Sequence, residues 1–278
     1  MNGDILMPED YEEPRCLLCD EPYSAKGRVK SIPQQRVIEK MDEYMATQDY
    51  AGAERHLKYW LEEARLGGDL RGSLMVRNEL IGHYRKTGEK EKAYESGEEA
   101  VKLIDELDFA GTISAATTYI NLATACNSFG DNERAYSLFR KAQDIYEKAG
   151  AVRDDLAGGL YNNMALTCVG LGRYAEADSL YKKAIERMKR VPGGQMEIAI
   201  TYLNMADALD REKGFANCEN EIYALLDLAC GLLDDRTDVS DGYYAYVCDK
   251  CAPTFSYYGY FMEAEELKNR VRDIYERS

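Results

Sequence analysis

Two cysteine pairs with the spacing of metal ligands stand at opposite ends of this 278-residue sequence, Cys16-x-x-Cys19 in EEPRCLLCDEPY and Cys248-x-x-Cys251 in YVCDKCAP. Four thiolates are the ligand set of an all-cysteine structural zinc site, in which the ion is held tetrahedrally. More than 220 residues separate the pairs, unlike the compact spacing of zinc ribbons, and Cys248 and Cys251 fall where a helix would bury them. They therefore read first as core thiols at one end and an incidental pair at the other. A zinc clamp built from Cys16, Cys19, Cys248 and Cys251 is the lesser alternative. A thioredoxin-like redox pair is weaker still, since no βαβ pattern surrounds either CxxC.

Other chemistry is sparse. The two histidines, His56 and His83, lie apart, and neither belongs to a metal or nucleophile motif. His56 follows Arg55, precedes Leu57 and lies one helical turn from Trp60, which suits a partly buried structural role, whereas His83 is near the presumed binding surface. No GxSxG, HExxH or Gly-rich phosphate loop occurs, and carboxylates are too abundant for one pair to stand out as general acid and base. The expectation is a protein that is not an enzyme and needs no cofactor.

Charge narrows the partners. Asp and Glu outnumber Lys and Arg by 50 to 35, a net charge of −15 that repels a phosphate backbone, so nucleic acid is not expected as a partner. No run of about 20 apolar residues marks a membrane span, and the opening MNGDILMPEDYEEP is acidic where a signal peptide is basic and then apolar. A soluble, cytoplasmic protein with reduced thiols is the expectation, with no membrane partner.

The elements that must position any site are helices. Six prolines in the whole chain, few β-branched runs, and recurring Ala, Leu, Glu, Lys, Arg and Tyr predict an all-α class. INLATACNSFGDNERAYSLFRKA (120–142) aligns without a gap on NNMALTCVGLGRYAEADSLYKKA (162–184), an offset of 42 residues. Fainter copies extend the series on both sides. Aligned on the small residue of each second helix, six copies place Ala53, Ala93, Ala135, Ala177, Cys218 and Ala264 in steps of 40, 42, 42, 41 and 46. Each copy has an apolar helical stripe, a short turn with Gly or Asp, and a second stripe: a repeated helical hairpin.

Small residues are expected where two helix axes approach to about 8–10 Å. Ala123, Ala165 and Ala206 therefore face the small residues of the second helices. Larger ones fill the layers at Tyr119, Leu122, Phe139, Tyr161, Met164 and Tyr181. A lone hairpin cannot bury both faces, so neighbours must stack. Residues 1–31 lack helical periodicity and read as an extended arm, leaving 32–278 as the helical domain. Pro253 is expected to interrupt a first helix.

The order aromatic, x, Asn, Leu/Met, Ala, then Gly, then Ala, x, x, x, aromatic, x, x, Ala resembles the tetratricopeptide repeat. The 42-residue period and the phrases LYNNMALTCVGLGRYAEADSLYKKAIE and YINLATACNSFGDNERAYSLFRKA are most similar to the kinesin light chain variety. The resemblance covers about residues 36–278 and implies a right-handed α-solenoid of about six tetratricopeptide-like helix pairs. It further implies that the first helix of each pair lines a concave surface that binds a protein or peptide. The first and last copies depart from the pattern, with Lys40 and Lys268 where apolar residues are usual.

Asn121, Asn163 and Asn204 recur one repeat apart in mid-helix, where Asn has poor propensity and its amide is best explained by a task. An amide ladder offers donors and acceptors to an extended peptide backbone, and the resemblance implies that such asparagines grip a main chain. Bonding between neighbouring helices is the equal alternative. Asn78, Asn162, Asp207, Arg85 and Arg211 flank these in the same register. A non-catalytic peptide-binding scaffold is the leading expectation. The alternatives are a peptide-responsive regulatory receptor without its own effector domain, and a self-associating protein whose YYAYV and FSYYGY stretches suit a homodimer.

Overall fold

The computed structural model describes residues 29–150 and 152–277, and the calls made on Cys16, Cys19 and most of the arm lie outside them. The described residues form helices α1 (Gln34–Ala46), α2 (Tyr50–Gly67), α3 (Leu70–Thr87), α4 (Lys90–Glu106), α5 (Ile113–Ser128) and α6 (Asn132–Ala149) in a first compact unit. A second unit holds α7 (Asp154–Gly170), α8 (Tyr174–Met188), α9 (Gln195–Lys213), α10 (Phe215–Leu233), α11 (Asp241–Tyr257) and α12 (Phe261–Arg277). No strand occurs among the described residues. The fold is all-α and built of tetratricopeptide-like helix pairs.

Each unit is three antiparallel hairpins, and the chain's own chemistry sets their ends. Asp49, Asp69 and Asp131 accept a hydrogen bond from the backbone N–H three residues on, capping α2, α3 and α6, and Thr112 does the same for α5. Gly68 closes α2 in the left-handed region at φ 68°, where a side chain would be strained. Asp69 does a second job. It is 1% exposed, and its Oδ2 also accepts the Ile32 N–H at 3.0 Å. With the Lys30 N–H donating to Gly67 O, the residues just before α1 are already tied to the α2–α3 turn.

Within the pairs the small residues lie where close helix approach requires them. Ala53, Ala93, Ala135, Ala177, Cys218 and Ala264 are all 3% exposed or less, and Ala123, Ala165 and Ala206 are fully buried. Phe139, Met164 and Tyr181 fill the adjoining layers at 1% exposure or less. Two details differ from expectation. Pro253 does not interrupt its helix: α11 runs continuously from Asp241 to Tyr257 with Pro253 inside. Tyr161 is half-buried, not core, with Lys183 Nζ 5.8 Å from its ring centre. The irregular helix is instead α10, whose backbone departs from helical geometry at Cys218.

Candidate binding face of the first helices

Neighbouring pairs meet chiefly where the second helix of one packs on the first of the next, α2 on α3, α4 on α5 and α8 on α9, and also between first helices, α3 with α5 in one unit and α7 with α9 and α9 with α11 in the other. The asparagines singled out from the sequence sit on these helices, and four of them form two interlocked pairs. In the first unit the Asn121 Nδ2 on α5 donates to Asn78 Oδ1 on α3 at 2.9 Å. Asn78 is 4% exposed, and its own Nδ2 donates to Leu74 O at 2.9 Å and Thr118 Oγ1 at 3.0 Å. In the second unit the Asn204 Nδ2 on α9 donates to Asn162 Oδ1 on α7 at 3.1 Å, and the Thr201 hydroxyl shares its proton between Glu197 O at 2.7 Å and the same Asn162 oxygen at 3.3 Å.

The two rungs are one motif used twice. Partners lie 43 residues apart in one and 42 in the other, and a threonine three residues before the donor asparagine joins each. Sequence reasoning aligned Asn121, Asn163 and Asn204 as equivalents but did not foresee this division of labour. Asn78 and Asn162 are buried supports: Asn78 spends its Oδ1 and Nδ2 inside the stack, and Asn162 its Oδ1. Asn121 and Asn204 are half-buried donors, each using its Nδ2 in the rung and leaving its amide oxygen uncommitted there. Asn163 is half-buried beside Asn162 and takes no part in the rung. The signal was present: an Asn followed 42 or 43 residues later by another, with Thr three positions before the second.

The remaining flanking residues separate. Asp207 on α9 accepts from Tyr258 Oη at 2.9 Å, and the same hydroxyl reaches Asp210 at 3.3 Å. Burial pushes the Asp207 carboxyl above the usual range, against the opposing pull of Tyr258 and Arg211. Arg211 is exposed, with its backbone carbonyl accepting from Tyr174 Oη at 3.3 Å. Arg85 is exposed in the last turn of α3, in the other unit. Cys248 and Cys251 are free, buried thiols of α11, and burial pushes Cys251 up to about 12, which opposes the thiolate a metal requires. His56 bonds Val37 O at 3.0 Å between α2 and α1, a structural role.

Of the tyrosine-rich stretches, Tyr244 and Tyr258 are buried, whereas Tyr243, Tyr246 and Tyr257 are 37%, 56% and 74% exposed. At the turn into α12, Phe261 and Met262 add 68% and 85% exposure. No helix among the described residues is long and apolar enough to cross a membrane.

Paired helices that share small residues at their crossings, joined by amides repeating at the repeat period, define a helical-repeat protein with its distinctive polar groups on the first helices. Residues 116–148 and 156–216 each match a tetratricopeptide repeat family model, so these stretches of the chain are tetratricopeptide repeats. The chain's fold is similar to the nearly identical kinesin light chain TPR-like repeats of Podosopora anserina (TM-score 0.50, 19% identity, 73% of this chain and 95% of that one). It is also similar to BtubC (BKLC) from P. vanneervenii (TM-score 0.50, 18% identity, 89% and 92%). No curated protein matches the sequence.

Proposed function

We propose that the chain is a non-catalytic protein-interaction scaffold that takes extended peptide segments of a partner along its first helices, with Asn121 contacting peptide backbone in the first unit and Asn163 and Asn204 contacting it in the second. The observation that carries this reading is the pair of rungs. Each fixes a half-buried amide through one N–H and leaves its oxygen available to a backbone N–H, the complement that an extended peptide offers. Asn78 and Asn162 act behind them as supports. Arg85 and Arg211 supply exposed positive charge, in separate units, for acidic residues of the partner.

The test is selection of binding peptides from a random display library with the full chain, followed by titration of the enriched peptides. Replacement of Asn121, Asn163 and Asn204 together by Ala should weaken binding about tenfold or more, a loss of about 1.4 kcal/mol, with the helical circular dichroism retained. Absence of enrichment, or unchanged affinity, refutes the assignment.

A second copy of the chain is the partner favoured by a different observation, the exposed aromatic and Met side chains at Tyr246, Tyr257, Phe261 and Met262. Light scattering would show a dimer that Phe261→Ser with Met262→Ser dissolves. A monomer at all concentrations removes this reading.

A further inference from the structure

We propose that Glu54, His83 and Glu89 form a binding site for a divalent ion of the Zn2+ class, joining α2, α3 and the start of α4. Each residue offers one ligand atom, and the three atoms lie within 4.8 Å of one another. Three ligands around a tetrahedral zinc stand about 3.4 Å apart. The two half-exposed glutamates need close on the ring by little more than an ångström.

Three observations separate this cluster from an ordinary surface network. First, the His83 side chain is 3% exposed, and its Nδ1 is shut off from solvent with no hydrogen-bond partner. A buried imidazole nitrogen without a partner carries a desolvation cost that a ligand would relieve. Second, the equivalent positions 42 and 84 residues further on hold Ala125 and Thr167, both fully buried, so helix packing here asks for a small side chain and not an imidazole. Third, Glu89 occupies the N-cap position of α4 but does not cap it, whereas Asp49, Asp69 and Asp131 cap their helices from that position. Its carboxylate turns instead to Thr87 Oγ1 at 3.2 Å and to Lys92.

The groups around the cluster indicate which ion fits. Glu54 Oε1 accepts from Tyr84 Oη at 3.0 Å and pairs with Lys58 at 2.8 Å and Lys92 at 3.2 Å. Lys92 bridges both glutamates, so its ammonium already marks a place where positive charge is favoured. That lysine is 44% exposed on a flexible stem and can vacate the place to solvent. One imidazole with two carboxylates suits zinc, leaving a fourth position for water, whereas calcium and magnesium prefer oxygen alone.

The site is independent of the peptide reading, and its test does not use peptide binding. The full chain carrying Cys16→Ser and Cys19→Ser is stripped with chelator, then titrated calorimetrically with ZnCl2 and spectroscopically with Co2+. About one equivalent should bind, with cobalt absorption typical of nitrogen and oxygen ligands and no thiolate charge-transfer band. His83→Ala and Glu89→Gln should each weaken binding tenfold or more, and Lys92→Met should tighten it by removing the competing cation. Should His83→Ala fail to fold, the half-exposed Glu89→Gln decides. No saturable binding, a thiolate band at the saturating site, or affinity unchanged in Glu89→Gln overturns the proposal.

Discussion

Replacing Asn121 by Ala should destabilise the first unit more than the equivalent Asn204→Ala destabilises the second, and the structure sets the difference. Asn78 is 4% exposed, and its Oδ1 accepts from Asn121 while its Nδ2 is occupied by Leu74 O and Thr118 Oγ1. Asn121→Ala therefore leaves a buried acceptor without a partner, at a cost of about 1–3 kcal/mol. Better helix propensity returns about 0.6 kcal/mol, for a net loss of about 1–2 kcal/mol. In the second unit the Thr201 hydroxyl, whose one proton goes chiefly to Glu197 O at 2.7 Å, lies 3.3 Å from Asn162 Oδ1 and can turn to it once Asn204 is removed, so the loss there should be smaller, about 0.5 kcal/mol.

Because helical repeats unfold in parts, amide hydrogen exchange read separately over 29–150 and 152–277 is the suitable assay, with urea unfolding as a check. Asn78→Leu combined with Asn121→Leu is the control. Removing both amides leaves no orphaned amide acceptor and should cost less than Asn121→Ala alone, a coupling of about 1 kcal/mol. Equal losses for Asn121→Ala and Asn204→Ala, or a double replacement as costly as the sum of its parts, would refute the reasoning.

Other consequences follow from single positions. Asp69→Ala removes both the cap on Gly72 N–H at 2.8 Å and the buried acceptor for Ile32 N–H, and should cost about 2–4 kcal/mol by urea unfolding, with the residues before α1 exchanging first. Gly97→Ala would bring a methyl to 2.4 Å from Leu122 Cδ1 at the α4–α5 contact, so about 1–3 kcal/mol of overpacking should exceed the helix-propensity gain of about 1 kcal/mol and lower the melting temperature. Lys58, with Tyr84 and Lys92, holds the Glu54 carboxyl down at about 2 in the folded chain. Its contribution is present above the unfolded value near 4.5 and lost as pH falls toward 2, about 1 kcal/mol after solvent screening. In chelator, Glu54→Gln should flatten that part of the stability profile, and an unchanged acid limb would contradict it.

The helix pairs were legible because their cause is local and periodic. Ala53, Ala93, Ala135 and Ala177 recur at the crossings, and each is at most 1% exposed. What escaped were relations between repeats. Asn78 and Asn162 looked like surface candidates because an amide in a helix carries no mark of which neighbour it faces, and only stacking shows that they are buried supports. Pro253 looked like a break because propensity counts the lost N–H but not the burial of Val247, Cys248, Cys251 and Phe255 on the same helix, all 1% exposed or less, while Pro253 itself lies on the exposed face. Glu54, His83 and Glu89 lie on three elements with no motif spacing, so nothing local could group them.

The buried amides carry the functional argument further than the exposed ones. An amide inside a helix stack is an expensive choice, since its desolvation must be offset by hydrogen bonds that an apolar side chain would never need. Stacking does not demand it here: Ile120 stands 42 residues after Asn78 and 42 before Asn162, and Leu203 directly before Asn204 is 4% exposed. Apolar residues thus serve at this register in other copies. What Asn78 and Asn162 add is a fixed orientation for the amide each receives, because Asn121 and Asn204 are gripped by one N–H while their oxygens stay free of the rung. A group held in one orientation before binding loses less entropy when a ligand arrives. Replacing Asn78 with Leu should therefore weaken peptide binding through Asn121 even though Asn78 itself is shut off from the ligand, and a binding constant indifferent to Asn78 would separate the rung from recognition.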